Sequence, residues 1–133
     1  MNAETSNELE SEKGEMFMVK RRIAVATDGK NGLEDVISNV FGRARTFTIV
    51  DAEDEKIIGV SVLENPALSY SHGAGPIVIK TLIDDGVETV IANELGVGAS
   101  EILKQHNIIY IQAKPGTNVR ETIKHTLRTE RLP

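Results

Sequence analysis

Apolar positions along the chain switch between two periods. Residues 23–27 (IAVAT) form an unbroken apolar run stopped by Asp28-Gly29, the pattern of a buried strand that ends in a turn. Residues 33–40 (LEDVISNV) place Leu33, Val36, Ile37 and Val40 at helical spacing and predict a short helix. Residues 46–50 alternate, with Phe47 and Ile49 on one face, and the acidic residues 51–55 turn the chain. Residues 57–63 predict a third strand with Ile58, Val60 and Val62 on a shared face, and the short connection makes strands two and three an antiparallel hairpin.

The second half alternates helix and strand strictly. Pro76 stands where a first helical residue belongs, and Ile79, Leu82 and Ile83 give a buried face up to Gly86. Residues 87–92 predict a strand, Ala99, Ile102 and Leu103 a helix closing near His106-Asn107, and residues 108–111 the last strand. Asn118 with Glu121 three residues on resembles a capping box, for a helix burying Val119, Ile123 and Leu127. Connections this short demand parallel neighbours and right-handed crossovers. The expected fold is α/β: a five-stranded mixed sheet of order 3-2-1-4-5 with strand two antiparallel and helices on both faces, giving three layers (α/β/α). Ligands of such sheets bind beyond the carboxyl ends of the parallel strands, and that rim holds loops 28–32, 65–76, 93–98 and 112–117.

Composition narrows the chemistry. The chain has 133 residues, enough for one domain whose core needs no covalent staple. It contains no cysteine, which removes disulfides, thiol nucleophiles and thiolate-held metal sites supplied by this chain alone. The net charge of −5 and only five aromatic side chains argue against a nucleic-acid binder. Residues 1–20 hold five Glu against two Lys, so this stretch is read as an acidic disordered tail, followed by a domain over 21–133. No apolar run is long enough for a membrane helix, and the acidic N-terminus lacks a signal-peptide pattern, so a cytoplasmic location without membrane partners is expected.

The most informative rim segment is residues 65–76, NPALSYSHGAGP. Gly73 and Gly75 permit positive φ and close approach by a ligand, the helix start offers free N–H groups, and His72 adds a metal-competent imidazole. The competing reading is a tight helix lead-in beside a solvated histidine. Asp28 at the end of strand one either binds a metal or orients a ligand, or simply makes an Asp-Gly turn. Asn93-Glu94 open a second glycine-rich lead-in that runs to Gly98. Arg43, after Phe41-Gly42, suits either an oxyanion grip or a surface ion pair. His106, on the apolar face near a helix end, and the exposed His125 are weaker candidates.

Taken together, these residues resemble a known family. Ser38 with Phe41-Gly42-Arg43-Ala44, Phe47 leading to Asp51, Asn65-Pro66, His72-Gly73-Ala74-Gly75-Pro76, the stretch from Gly86 to Ala92, and Pro115-Gly116-Thr117-Asn118-Val119 occur in this order. The pattern is similar to the dinitrogenase iron–molybdenum cofactor biosynthesis family, small proteins like NifX and the C-terminal domain of NifB, across roughly residues 21–130. The resemblance implies a ribonuclease H-like fold and a non-enzymatic carrier of an iron–sulfur or iron–molybdenum cluster precursor, bound transiently. His72 and its glycines would form one signature, with His72 the metal ligand, and Ser38, Phe41, Gly42 and Arg43 the other. Implied partners are cluster-assembly or acceptor proteins. Without cysteine, a cluster would be held by His72, carboxylates, backbone amides or a second subunit, so a homodimer is one expectation. A metal-free small-anion sensor or protein–protein adaptor is the alternative, and a Mg-dependent nuclease or phosphotransferase using Asp28 and Glu94 is a third.

Overall fold

The computed structural model describes residues 18–129, so the expected disordered tail lies, up to residue 17, outside the described residues. The elements are β1 (Lys20–Thr27), β2 (Thr46–Glu53), β3 (Lys56–Glu64), α1 (Ala74–Asp84), β4 (Thr89–Ala92), α2 (Val97–Gln105), β5 (Ile109–Gln112) and α3 (Val119–Thr129). They build one sheet of order β3-β2-β1-β4-β5, as expected. β2 runs antiparallel to both β1 and β3, whereas β4 runs parallel to β1 and to β5. The carboxyl ends of β1, β3, β4 and β5 therefore share one edge.

Side-chain alternation divides the core in two. Ala24, Ala26, Phe47, Ile49, Val90 and Ala92 pack with Val78, Ile79 and Leu82 of α1 and with Ala99 and Leu103 of α2. Ile23, Val25, Val50, Ala52 and Ile91 pack with Val119, Ile123 and Leu127 of α3. Small alanines on the first face let α1 and α2 approach the sheet closely. Phe47 fills the space that remains, its ring edge-on to Phe41 with centroids 5.5 Å apart. On the α3 side, the buried hydroxyls of Thr27, Thr46 and Thr48 satisfy one another at 2.7 and 3.1 Å, so none of these three is stranded.

Helix ends follow local chemistry. Asn118 Oδ1 accepts from the Glu121 N–H at 3.0 Å, the expected N-cap of α3. α1 and α2 both end in a Schellman closure. Gly86 (φ +83°) and Asn107 (φ +57°) take the left-handed position, and the next N–H groups, of Val87 and Ile108, reach back to Leu82 and Leu103. Val87 is consumed by this closure, so β4 starts at Thr89 rather than at residue 87.

Four expectations are corrected. The helix over 33–40 is absent. A single 3-10 turn, Gly32–Glu34, ends at Asp35, whose carboxylate takes the N–H groups of Asn31 and Val36. Beyond it the backbone bonds to distant segments, with Ile37 N–H donating to Thr117 and Ser38 N–H to Ala26, so tertiary pairing overrides the local period. α1 begins at Ala74, which places Pro76 third in the helix, still within the turn where no N–H is required. β2 continues to Glu53, and the acidic turn shrinks to Asp54-Glu55. The apolar face expected on β3 is broken by a register shift: Asp51 pairs with Gly59 and Ala52 with Ile57, leaving Ile58 as the extra residue of a bulge. β1 starts at Lys20, and Val19 exchanges hydrogen bonds with Asp54.

Because Phe47 is fully buried at the centre of one core face, Phe47→Ala should cost about 3–5 kcal/mol in urea unfolding. A loss under 1 kcal/mol would contradict this packing.

Candidate functional site

Three loops meet beyond the carboxyl ends of β1, β3 and β4 and enclose a groove of about 460 Å³. Its walls are Val40 to Arg43 after β1, Ser71 to Pro76 at the start of α1, and Gly96, Gly98 and Ala99 at the start of α2. The walls meet because glycine backbones can touch. A Cβ on Gly42 would lie 2.9 Å from the Gly75 nitrogen and 3.1 Å from its Cα, closer than a side chain tolerates. Gly75 in turn faces the Ala99 methyl at 3.5 Å, and Gly98 faces Pro76 at 3.9 Å. Gly73 closes the lead-in to α1 at φ +74°, where a side chain would be strained.

Two braces hold the loops in place. The buried Asn65 donates from Nδ2 to the Gly42 and Ala44 carbonyls at 2.9 and 2.8 Å, and its Oδ1 accepts from Ala67 N–H at 2.7 Å. Arg43 donates from one Nη to the carbonyls of Tyr70 and Ser71 at 2.6 and 3.0 Å, directly ahead of His72. Arg43 thus acts as a clamp on the histidine loop, and no ion pair of its side chain occurs among the described residues.

Both helices that open on the groove lack a side-chain cap, and neither has an acidic residue in its first turn. Their first-turn N–H groups have no carbonyl partner within the helix, and the two partial positive ends add. The exposed His72 supplies one imidazole at the same mouth. The arrangement is chemically suited to an anion that accepts several N–H bonds and one ligand bond.

Of the residues predicted for the site, His72, Gly73, Gly75, Phe41, Gly42 and Arg43 line this groove together. Glu94 lines a smaller adjoining notch of about 230 Å³, which shares Val40, Phe41, Gly42 and Gly96 with the groove. Asn93 instead braces the rim: its Nδ2 donates to Asn39, and its carbonyl accepts from Tyr110 and Gln112. Ser38 is buried, with its Oγ accepting from Val40 N–H at 3.2 Å, so it shapes the turn and does not face the groove. Asp28 is exposed at the end of β1 and lines neither groove nor notch. His106 caps the C-terminus of α2 and is exposed, away from the apolar face expected for it, and His125 is exposed as expected. Among the described residues no group of three His, Cys, Asp or Glu side chains could hold a metal ion, so His72 belongs to no such group. Ser71, Gly96, Gly98 and the brace Asn65 were not among the predicted site residues. An Asn-Pro pair leaving a strand was the readable signal for Asn65, since such a side chain folds back onto nearby backbone.

Lys30, Arg43 and Arg45 border a second groove of about 580 Å³ with Glu64 on the same wall. Lys30 pairs with Glu64 at 2.6 Å and holds its carboxyl below the usual range, chiefly by hydrogen bonding.

Fold and site together define a small α/β protein with a groove at one sheet edge, onto which two uncapped helix N-termini and His72 open. The chain belongs to the dinitrogenase iron-molybdenum cofactor family, whose profile matches residues 21–129. It is 32% identical over 88 residues to the uncharacterized protein MJ0580 of Methanocaldococcus jannaschii, covering 66% of this chain and 74% of that protein. The apo form of the orange protein from Desulfovibrio gigas superposes with a TM-score of 0.73 at 30% identity, over 81% of this chain and 88% of that one. TM1290 of Thermotoga, solved by NMR, gives 0.66 at 33% identity, over 82% and 89%.

Two outcomes are expected at the rim. Gly42→Ala should destabilise the fold by about 1–3 kcal/mol in thermal or urea unfolding, because neither backbone at the contact can yield cheaply. Gly96→Ala, whose added methyl meets nothing within 4 Å, should stay within about 0.5 kcal/mol of the parent. Equal effects would refute the close-contact account.

The Tyr110 hydroxyl donates to the Ala92 and Asn93 carbonyls, and burial, with a smaller contribution from Glu94, raises its pKa. A phenol whose folded pKa is raised contributes stability that is complete below the unfolded value of about 10 and is lost as pH rises through the folded one. Melting temperatures measured across pH 9–12 should fall more steeply for the parent than for Tyr110→Phe. Parallel curves would show that this phenol does not couple to folding.

Proposed function

We propose that the protein is a non-enzymatic carrier for an iron–sulfur or iron–molybdenum cluster precursor, bound as an anion in the groove at His72. The carrying observation is the meeting of two uncapped helix N-termini with a single imidazole, in a chain of this cofactor family. The cargo's own sulfides would supply most of its metal ligation. The protein would contribute N–H donors, a positive field and one labile ligand, a combination suited to transfer more than to storage. Cluster-assembly and acceptor proteins in the cytoplasm are the partners this role requires. Gly73 and Gly75 would bring the backbone close to the cargo, while Arg43 would keep the histidine loop in register.

A second reading, a metal-free small-anion sensor or an adaptor, is favoured by one observation, the cationic groove of Lys30, Arg43 and Arg45. The nuclease reading loses support, because Glu94 lines the notch beside the groove and Asp28 lines neither notch nor groove.

Anaerobic incubation with tetrathiomolybdate, or with ferrous iron and sulfide, followed by desalting, should leave protein-bound charge-transfer absorbance. His72→Ala should weaken that binding by about tenfold, equivalent to roughly 1.4 kcal/mol. Equal binding by the variant would remove His72 from the site. Absence of bound absorbance in the parent, together with thermal stabilisation by phosphate, would replace the carrier with the sensor.

A further inference from the structure

The groove is half of a coordination sphere. It offers its donors from one side, its single imidazole belongs to no group of three His, Cys, Asp or Glu side chains among the described residues, and its mouth is open. Around that mouth stand apolar side chains that nothing among the described residues covers. Val97, between Gly96 and Gly98, is 84% exposed, and Val40 and Tyr70 are each about half exposed. Exposed side chains of this size, gathered at one loop edge, mark a contact surface.

Charge at the same edge is self-complementary. Arg43 lines the groove on one side of Phe41-Gly42, and Glu94 lines the adjoining notch on the other. A two-fold axis through the mouth would set Arg43 of one copy toward Glu94 of the other and bring the apolar rims onto each other. A two-fold contact must use one patch twice, and this patch can.

Resting on the carrier reading above, we propose that the anion closes the protein into a homodimer, groove to groove, with the cargo shared between the His72 imidazoles of two copies. Without the anion, two positive helix-end pairs face each other and repel. Three apolar side chains per copy are also far short of the ~800 Å² per partner of a standard stable interface. With the anion in place, the same four helix ends point at one negative charge. Association is therefore conditional on cargo, and a second copy adds a second imidazole to the one each groove holds.

Sedimentation velocity on the full chain, run anaerobically with and without tetrathiomolybdate and paired with absorbance titration, tests this. The expected result is a monomer of 14.5 kDa alone and twice that mass with the anion, at one anion per two chains. The rim variant Tyr70→Ser/Val97→Gln should remain monomeric alone and need at least tenfold more protein to dimerise with the anion. Binding at one anion per chain with unchanged mass would overturn the dimer and leave the carrier standing. A dimer already present without the anion, or unimpaired dimerisation of the rim variant, would overturn the conditional interface. Absence of tetrathiomolybdate binding would overturn the carrier reading for this anion and the dimer with it.

Discussion

The backbone of Gly42 against the backbone of Gly75 is the contact on which the rest of the rim depends. Missing Cβ atoms let the turn after β1 rest on the first turn of α1, with the hypothetical methyl only 2.9 Å from the Gly75 nitrogen. From that contact the geometry spreads outward. Phe41, next to the turn, is buried and meets Phe47 in the core, so the turn cannot rise without opening the sheet face beneath it. Asn65 pins the turn to the end of β3, and Arg43 pins it to the loop before His72. On the far side Gly75 meets Ala99, which sets α2 beside α1 with their N-termini level. One backbone contact thus links both helix ends, the histidine loop and the core.

The cost of that arrangement is electrostatic. Two aligned helix ends without caps or first-turn acids forgo stabilisation that Ser, Asp or Glu would ordinarily provide there. α3 shows that the chain can cap a helix well, with Asn118 and a first-turn Glu121. The difference between α3 and the pair α1/α2 is therefore positional. The capped helix opens away from the groove, and the uncapped pair opens into it. Bare N–H groups beside glycine are what an anionic guest would need, and a capping side chain would occupy that place.

Much of this was legible in the sequence, for identifiable reasons. Strand order followed from connection length and the two apolar periods, and those signals are local. The Asn118 cap and the closures at Gly86 and Asn107 were legible because cap chemistry lies within a few residues. Residues 33–40 misled because their apolar spacing is helical while their backbone partners, Ala26 and Thr117, are distant in sequence. Within the site, the glycines and His72 announced themselves through conformational need. Asp28 attracted notice as an acid ending a central strand, but no signal told which way the loop after it would carry the walls of the groove. Arg43 illustrates the middle case: its type suggested an anion grip, whereas the structure spends one Nη on two carbonyls of the histidine loop.

The absence of cysteine gives these pieces their common sense. A thiolate site would hold a metal through a few strong bonds and would tolerate an imprecise backbone around them. Here no such ligands exist in the chain, so any hold on a cluster would have to come from many weak donors arranged together. Weak donors work only when preorganised, because each N–H contributes little and cannot repay the ordering of a loose loop. That requirement matches the investment seen at the rim. A buried asparagine, an arginine clamp and a glycine-on-glycine contact all act on backbone position, and only His72 offers direct chemistry. Binding assembled this way is lost as readily as it forms once a stronger ligand set approaches. A chain without thiolates is therefore better suited to passing a cluster on than to keeping one.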